Sequence, residues 1–256
     1  MIGRTRRICA ITLSSICCLT IISGSFLSVN AQRPGPNRLP ILLIHGYGEN
    51  SSIWNSWKGW LGGDQFSKVY PITFQLDDKC GSAEQHAIEL RNIVDRILSG
   101  TDQQKVNIVA HSKGGLDARW YIAKSSVDKV ANLIMIGTPN AGSPAALWDF
   151  TGCPFGSDSD LFPGSSATRV VDRPQSTNYY TIAGDWMPDN MCWVGLLLVP
   201  DGGNCIIPGA DDGLVAVGSV ESSPDYIPLG QLVPYYHMQL LEHRDVYERS
   251  LLILER

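Results

Sequence analysis

The chain has 256 residues, 44% of them hydrophobic, and a formal net charge of −5. Residues 1–31 hold three arginines and no acidic residue, so the remainder carries −8. An acidic surface of that kind argues against nucleic acid as a partner. No internal repeat or low-complexity tract is present.

Arg4, Arg6 and Arg7 precede a long apolar run from Ile8 to Val29. Val29-Asn30-Ala31 fits a small-x-small cleavage site, and a Pro/Gly-rich linker follows. This is a signal-peptide layout over 1–31. A retained membrane anchor is the competing reading, because the run is long enough to span a bilayer. Ala31 and the linker sit where cleavage needs them, so the expectation is an exported protein, extracellular or periplasmic. Residues 32–256 are then enough for one sizeable domain.

Ile41–Ile44 is apolar throughout, as expected of a strand covered on both faces in a parallel sheet. His45-Gly46-Tyr47-Gly48 ends it at the edge where open α/β sheets bind ligands. The Tyr47 N–H is placed to serve as an oxyanion donor. Asn50, Ser51 and Ser52 offer helix caps, and Trp54, Trp57 and Trp60 recur at near-helical spacing as packing residues. Val69–Phe74 reads as a strand. Ser82–Leu98 reads as a helix with Ala83, Ala87, Leu90, Val94 and Leu98 on one face, and His86 is expected at its surface.

Val106–Ala110 is a β-branched run that turns sharply through His111-Ser112-Lys113-Gly114 into good helix formers. This is the nucleophile-elbow pattern G-x-S-x-G with Ala110 in the first glycine position. The turn needs small neighbours because strand and helix backbones nearly touch there. It lifts the Ser112 hydroxyl above the sheet edge and aims the Lys113 N–H at the reaction centre.

Val130–Gly137 is the next strand. The stretch to Asn178 is rich in Gly, Ser, Pro and Asp but carries Leu147, Trp148, Phe150, Leu161 and Phe162, which suits a lid or pocket wall. Tyr179–Gly184 reads as a further strand. A second insertion, Asp185 to Pro208, contains the apolar run Trp193–Val199, which is too short to cross a bilayer. That run is either a core strand or an acyl-chain surface.

Of seven cysteines, Cys9, Cys17 and Cys18 fall in the leader. Cys192 and Cys205 flank a Gly/Pro-rich loop and form the natural local pair, leaving Cys80 for Cys153. No Cys-x-x-Cys or histidine cluster points to zinc.

A serine hydroxyl needs a base, normally a histidine held by a carboxylate. Of five histidines, only His237 and His243 come late in the chain. His237 lies in a loop before the terminal helix and is the expected base. His243 sits at that helix's start, facing solvent or capping it. For the acid, Asp211 and Asp212 occupy a Gly-bounded loop, with Asp212 preferred because it directly precedes Gly-Leu-Val. Asp185 is the second candidate.

Taken together, Ile-His-Gly, Ala-His-Ser-Lys-Gly-Gly-Leu-Asp-Ala-Arg, Gly-Thr-Pro-Asn-Ala-Gly-Ser, Asp-Asp-Gly-Leu-Val and a late His resemble secreted bacterial triacylglycerol lipases and esterases. The resemblance implies an α/β-hydrolase fold: a mostly parallel central sheet, helices on both faces and lid-like insertions. It implies Ser112 as nucleophile, Asp212 as acid, His237 as base and Tyr47 and Lys113 as oxyanion donors, with no cofactor. Some of these lipases hold calcium through a ligand two residues after the catalytic His; here that residue is Gln239, and no metal ligand is assigned. The implied partners are a lipid or other acyl-ester substrate and a lipid interface. A short-chain esterase or an acyltransferase would use the same triad. A non-catalytic binding module would lack part of it, and every part is present.

Overall fold

The structure is a computed structural model, and it describes residues 38–72, 80–125, 128–147, 153, 159–170, 176–186, 191–194, 197–200, 207 and 209–256. These belong to one unit, Pro34–Arg256. In chain order the strands are β1 (Ile41–Ile44), β2 (Val69–Pro71), β3 (Val106–His111), β4 (Val130–Ile136), β5 (Asn178–Ile182), β6 (Met191–Val194), β7 (Leu197–Pro200) and β8 (Tyr226–Pro228). The helices are α1 (Asn55–Gly63), α2 (Ala83–Thr101), α3 (Lys113–Lys124), α4 (Val217–Val220) and α5 (Arg244–Leu254).

Six of the strands form an all-parallel sheet in the order β2-β1-β3-β4-β5-β8. Pro71 and Pro228 lie in the two outer strands, where a missing N–H costs no ladder bond. The order reverses direction at β1/β3, and the β3 C-terminal edge carries Ser112.

Alternation along the strands divides the core between two faces. Leu42, Ile44, Ile108, Ala110, Leu133 and Met135 pack with Leu90, Val94, Tyr121 and Ile122 of α2 and α3. Ile41, Leu43, Val109, Ile134 and Ile136 pack on the other side with Trp57 and Leu61 of α1 and Val246 and Tyr247 of α5. A fully buried Leu or Ile contributes about 1.5–3 kcal/mol, so these two layers dominate the stability of the sheet. Trp54 and Trp57 pack edge to face, as do Trp57 and Tyr247, which joins α1 to α5.

Ser82 and Gln85 form a reciprocal capping box at the start of α2: the Gln85 N–H donates to Ser82 Oγ at 3.2 Å and the Ser82 N–H to Gln85 Oε1 at 2.9 Å. The helix runs three residues past the expected Leu98, ending where Asp102 turns left-handed. Strand β2 stops at Pro71, and the rest of the expected Val69–Phe74 strand passes out of the described residues after Ile72. The stretch expected as a plain loop around His237 is a short 3₁₀ segment, His237–Glu242.

Strands β6 and β7 form an antiparallel hairpin from the second insertion. In the first insertion, Leu161 turns inward against Leu116 and Ala83. A disulfide joins Cys80 to Cys153, with Cα atoms 5.6 Å apart. The expected Cys192–Cys205 pair falls outside the described residues.

Candidate active site

Ser112 directly follows strand β3, and its φ of 52° and ψ of −129° are strained for a residue with a side chain. Close packing explains why the chain holds it. A Cβ on Gly114 would come 2.4 Å from the His45 carbonyl oxygen, and one on Gly115 would come 2.1 Å from Thr138 Oγ1. Only glycine at both positions lets α3 start this close to β1 and β4. The Ser112 N–H donates to the Ile136 carbonyl at 2.9 Å, and the Gly115 N–H to the Ser112 carbonyl at 3.0 Å.

The structure brings Ser112, His237 and Asp212 together. His237 Nε2 lies 2.9 Å from Ser112 Oγ, and His237 Nδ1 lies 2.7 Å from Asp212 Oδ2. With a carboxylate on Nδ1, that nitrogen donates and Nε2 is the free acceptor for the Ser112 proton. Asp212 is fully buried, and its Oδ1 accepts the Leu214 and Val215 N–H groups at 3.0 and 2.8 Å. The His237 N–H in turn donates to the Asp212 carbonyl at 2.8 Å. Gly184 leaves room for this loop, since a Cβ there would stand 2.7 Å from Asp212 Cβ.

The other candidates are placed elsewhere. Asp211 accepts the Gly213 N–H at 2.6 Å. Burial, reinforced by the Asp212 and Asp185 charges, pushes its carboxyl up to about 6 against the opposing pull of that bond. Both His237 ring nitrogens are occupied by Ser112 and Asp212, so Asp185 has no ring atom to hold. His243 does not cap α5 through its side chain, as one reading expected; its ring stacks on Tyr235 at 3.4 Å.

Lys113 opens α3, so its N–H belongs to the helix's unpaired first turn. Gly46 presses on the nucleophile, with a hypothetical Cβ 2.9 Å from Ser112 Cβ, which brings the Tyr47 loop to the same edge. The Lys113 side chain does not reach solvent. It is 1% exposed, with Nζ 2.6 Å from Asp117 Oδ1 and 3.8 Å from Asp160 Oδ2. His86 was expected at the surface and is instead buried, with Nδ1 2.8 Å from Asp117 Oδ2. Burial alone would raise the Asp117 carboxyl, but the charges of Lys113 and His86 outweigh it and hold it low. The helical spacing that put His86 near the apolar stripe of α2 was a readable hint of this. Glu49 and His111 are further residues that order along the chain did not reveal. Their carboxylate and ring meet at 3.0 Å beneath the site.

Sheet, helices and elbow together form an α/β-hydrolase fold. The family described as Lipase (class 2) matches residues 38–146, a span that includes Ser112 and stops short of Asp212 and His237. A triacylglycerol lipase of Burkholderia plantarii is 34% identical over 134 residues, covering 49% of this chain and 36% of that protein. One from Pseudarthrobacter phenanthrenivorans is 36% identical over 118 residues, covering 43% and 35%. The chain thus spans about a third of the length of these relatives. The mature Bacillus licheniformis lipase BlEst2 superimposes with a TM-score of 0.67 at 19% identity, covering 86% of this chain and 94% of that one, a likeness of fold. Over the matched residues the chain is similar to bacterial lipases and esterases.

Proposed function

We propose that this protein is an exported serine hydrolase of carboxylic esters, a lipase acting on medium- or long-chain acyl esters. The observation that carries the reading is the single imidazole of His237 bridging Ser112 Oγ and Asp212 Oδ2 at 2.9 and 2.7 Å. Ser112 attacks the ester carbonyl while His237 Nε2 takes its proton. Asp212 holds the ring in the tautomer that leaves Nε2 free and stabilises the imidazolium. The N–H groups of Tyr47 and Lys113 bind the tetrahedral oxyanion. His237 returns the proton to the departing alcohol, and water then releases the acid by the reverse sequence.

Chain length is argued from the apolar rim. Trp186 is 40% exposed with its ring against Tyr236, and Met238, next to His237 in the chain, is 47% exposed. A long acyl chain laid on them would gain about 0.8 kcal/mol per buried CH₂. Leu161 packs inward and favours a shallower cleft, as a short-chain esterase would have. Of the other expected wall residues, Phe162 is half-buried, and Trp148, Phe150 and the side chains of Leu147, Trp193 and 196–199 lie outside the described positions. A series of p-nitrophenyl esters from acetate to palmitate decides. A rate maximum beyond butyrate, with hydrolysis of emulsified triolein, supports the lipase. A maximum at acetate or butyrate with inert triolein reduces it to an esterase.

Export rests on the 1–31 leader and on the Cys80–Cys153 bridge, which suits an oxidising compartment. Among the described residues no helix is long and apolar enough to cross a membrane.

A further inference from the structure

His111 Nδ1 lies 3.0 Å from Glu49 Oε2, and its Nε2 lies 3.2 Å from the His237 backbone carbonyl oxygen. Both partners are acceptors only, so both ring nitrogens must donate, and the ring is an imidazolium. It is 1% exposed, and its counter-charge, the Glu49 side chain, is 11% exposed. The same Glu49 Oε2 accepts the Gly46 N–H at 2.7 Å. Three loops therefore meet on one buried ion pair: the turn after β1, the nucleophile elbow and the segment carrying His237.

The pair also sets a direction. His45 Nδ1 lies 2.8 Å from the Gly46 carbonyl oxygen, and burial keeps the His45 ring neutral, so Nδ1–H is the donor. Gly46 is thus held at both ends, its N–H by Glu49 and its C=O by His45. No peptide bond among the described residues is cis. In a trans peptide the Tyr47 N–H points opposite the Gly46 carbonyl, so pinning that carbonyl aims the Tyr47 N–H. Gly46 cannot be replaced in this wedge, because a Cβ would stand 2.6 Å from Glu49 Oε2 and 2.9 Å from Ser112 Cβ.

We infer that Glu49 and His111 are positioning residues for the ester hydrolysis proposed above, a buried carboxylate–imidazolium strut that aims the Tyr47 N–H at the oxyanion and fixes the backbone of His237. The inference rests on that functional reading. His237 is clamped between Asp212, which takes its N–H, and His111, which donates to its carbonyl. The charged or titratable groups facing His111 are Glu49, Asp212 and His237, whose ring centroid is 4.9 Å away. Burial alone would strip His111 of its proton, and the Glu49 charge outweighs it. Without that charge His111 becomes neutral and keeps one N–H. In Glu49→Gln the one atom they share then cannot serve both the Gly46 N–H and a deprotonated His111 Nδ1, so the Gly46 bond, the Glu49-side bond or the His237 carbonyl bond is lost.

An oxyanion bond forms only in the transition state, so its loss lowers kcat and leaves KM unchanged. Removing a whole donor costs about 10²–10³ in kcat, and misaiming one is expected to cost about 10- to 100-fold. The test combines kinetics on Glu49→Gln and Glu49→Asp with ¹⁵N-histidine NMR of the parent protein at neutral pH. Gln preserves an acceptor oxygen without the charge; Asp preserves the charge.

The expected results are a doubly protonated His111 in the parent, a kcat loss of that size in Glu49→Gln at unchanged KM, and partial recovery in Glu49→Asp. A neutral His111 in the parent overturns the inference even if neither variant folds. So does Glu49→Gln with parent kcat, or with a loss confined to KM. If Ser112→Ala is inactive while Glu49→Gln behaves as the parent, only this inference falls. If Ser112→Ala keeps parent activity, the functional reading falls and this inference with it.

Discussion

Asp211 and Asp212 are adjacent in the chain and sit in opposite electrostatic surroundings. Asp212 is fully buried, yet it takes His237 Nδ1 and two backbone N–H groups. Asp211 accepts a backbone N–H from Gly213 and faces the charges of Asp212 and Asp185. Only the first carboxylate holds the His237 ring.

Activity should follow that difference. Asp212→Asn flips the preferred tautomer of His237 and should lower kcat by about 10³–10⁴. Asp211→Asn and Asp185→Asn should stay within a few-fold of the parent. His237→Ala should be nearly inactive and His243→Ala mild, since the His243 ring stacks on Tyr235. Steady-state kinetics on one chromogenic ester ranks all five, and an inactive His243→Ala with an active His237→Ala removes the assigned base.

Stability should follow it with the opposite sign. Asp211 rises from 3.8 to about 6 in the fold. A raised carboxyl favours the fold below 3.8, and that contribution is lost as pH climbs through about 6. Asp211→Asn keeps the acceptor for Gly213 and never charges. Its melting temperature relative to the parent should therefore be higher at pH 8 than at pH 4. A difference that does not change with pH would refute the assignment.

The Glu49–His111 pair should leave its own pH signature. Burial opposes the Glu49 charge, but His111 outweighs it and draws the carboxyl from 4.5 down to about 2. Its stabilisation is present above 4.5 and lost as pH falls through about 2. His111 is raised above 6.5, so its share is complete below 6.5 and lost as pH rises through the raised value. The stability gap between parent and Glu49→Gln should be widest between pH 4.5 and 6.5 and narrow on either side. A gap growing steadily toward alkaline pH would contradict this.

The Cys80–Cys153 bridge spans 73 residues and ties the start of α2 to the first insertion. Cys80→Ser with Cys153→Ser should lower unfolding free energy by about 2–4 kcal/mol in urea titrations. Free thiols at both positions in the purified protein would show that the bridge does not form.

How much was legible in the sequence depended on how local each signal was. The elbow reads directly, because a β-branched run, a tight Ala-His-Ser-Lys-Gly turn and a helix lie within one short stretch. The parallel sheet follows from unbroken apolar runs such as Ile41–Ile44. Asp212 and His237 were reachable by chain order and by the Gly-Leu-Val that follows Asp212. His86 was misread because a polar residue beside an apolar helical stripe looks solvent-facing until its partner, Asp117 on another helix, is known. Glu49 and His111 are 62 residues apart, and nothing along the chain joins them. Their pairing exists only once β1 and β3 lie side by side. Element ends slipped for similar reasons: α2 continued to Thr101 because Gly100 weakens a helix without ending it.

The central claim is that Ser112 is a nucleophile activated by His237. Labelling the folded protein with a fluorophosphonate and mapping the adduct by mass spectrometry tests it most directly. One phosphonylated residue is expected, Ser112, with labelling abolished in Ser112→Ala and strongly slowed in His237→Ala. An adduct on another serine, or undiminished labelling of Ser112→Ala, would contradict it.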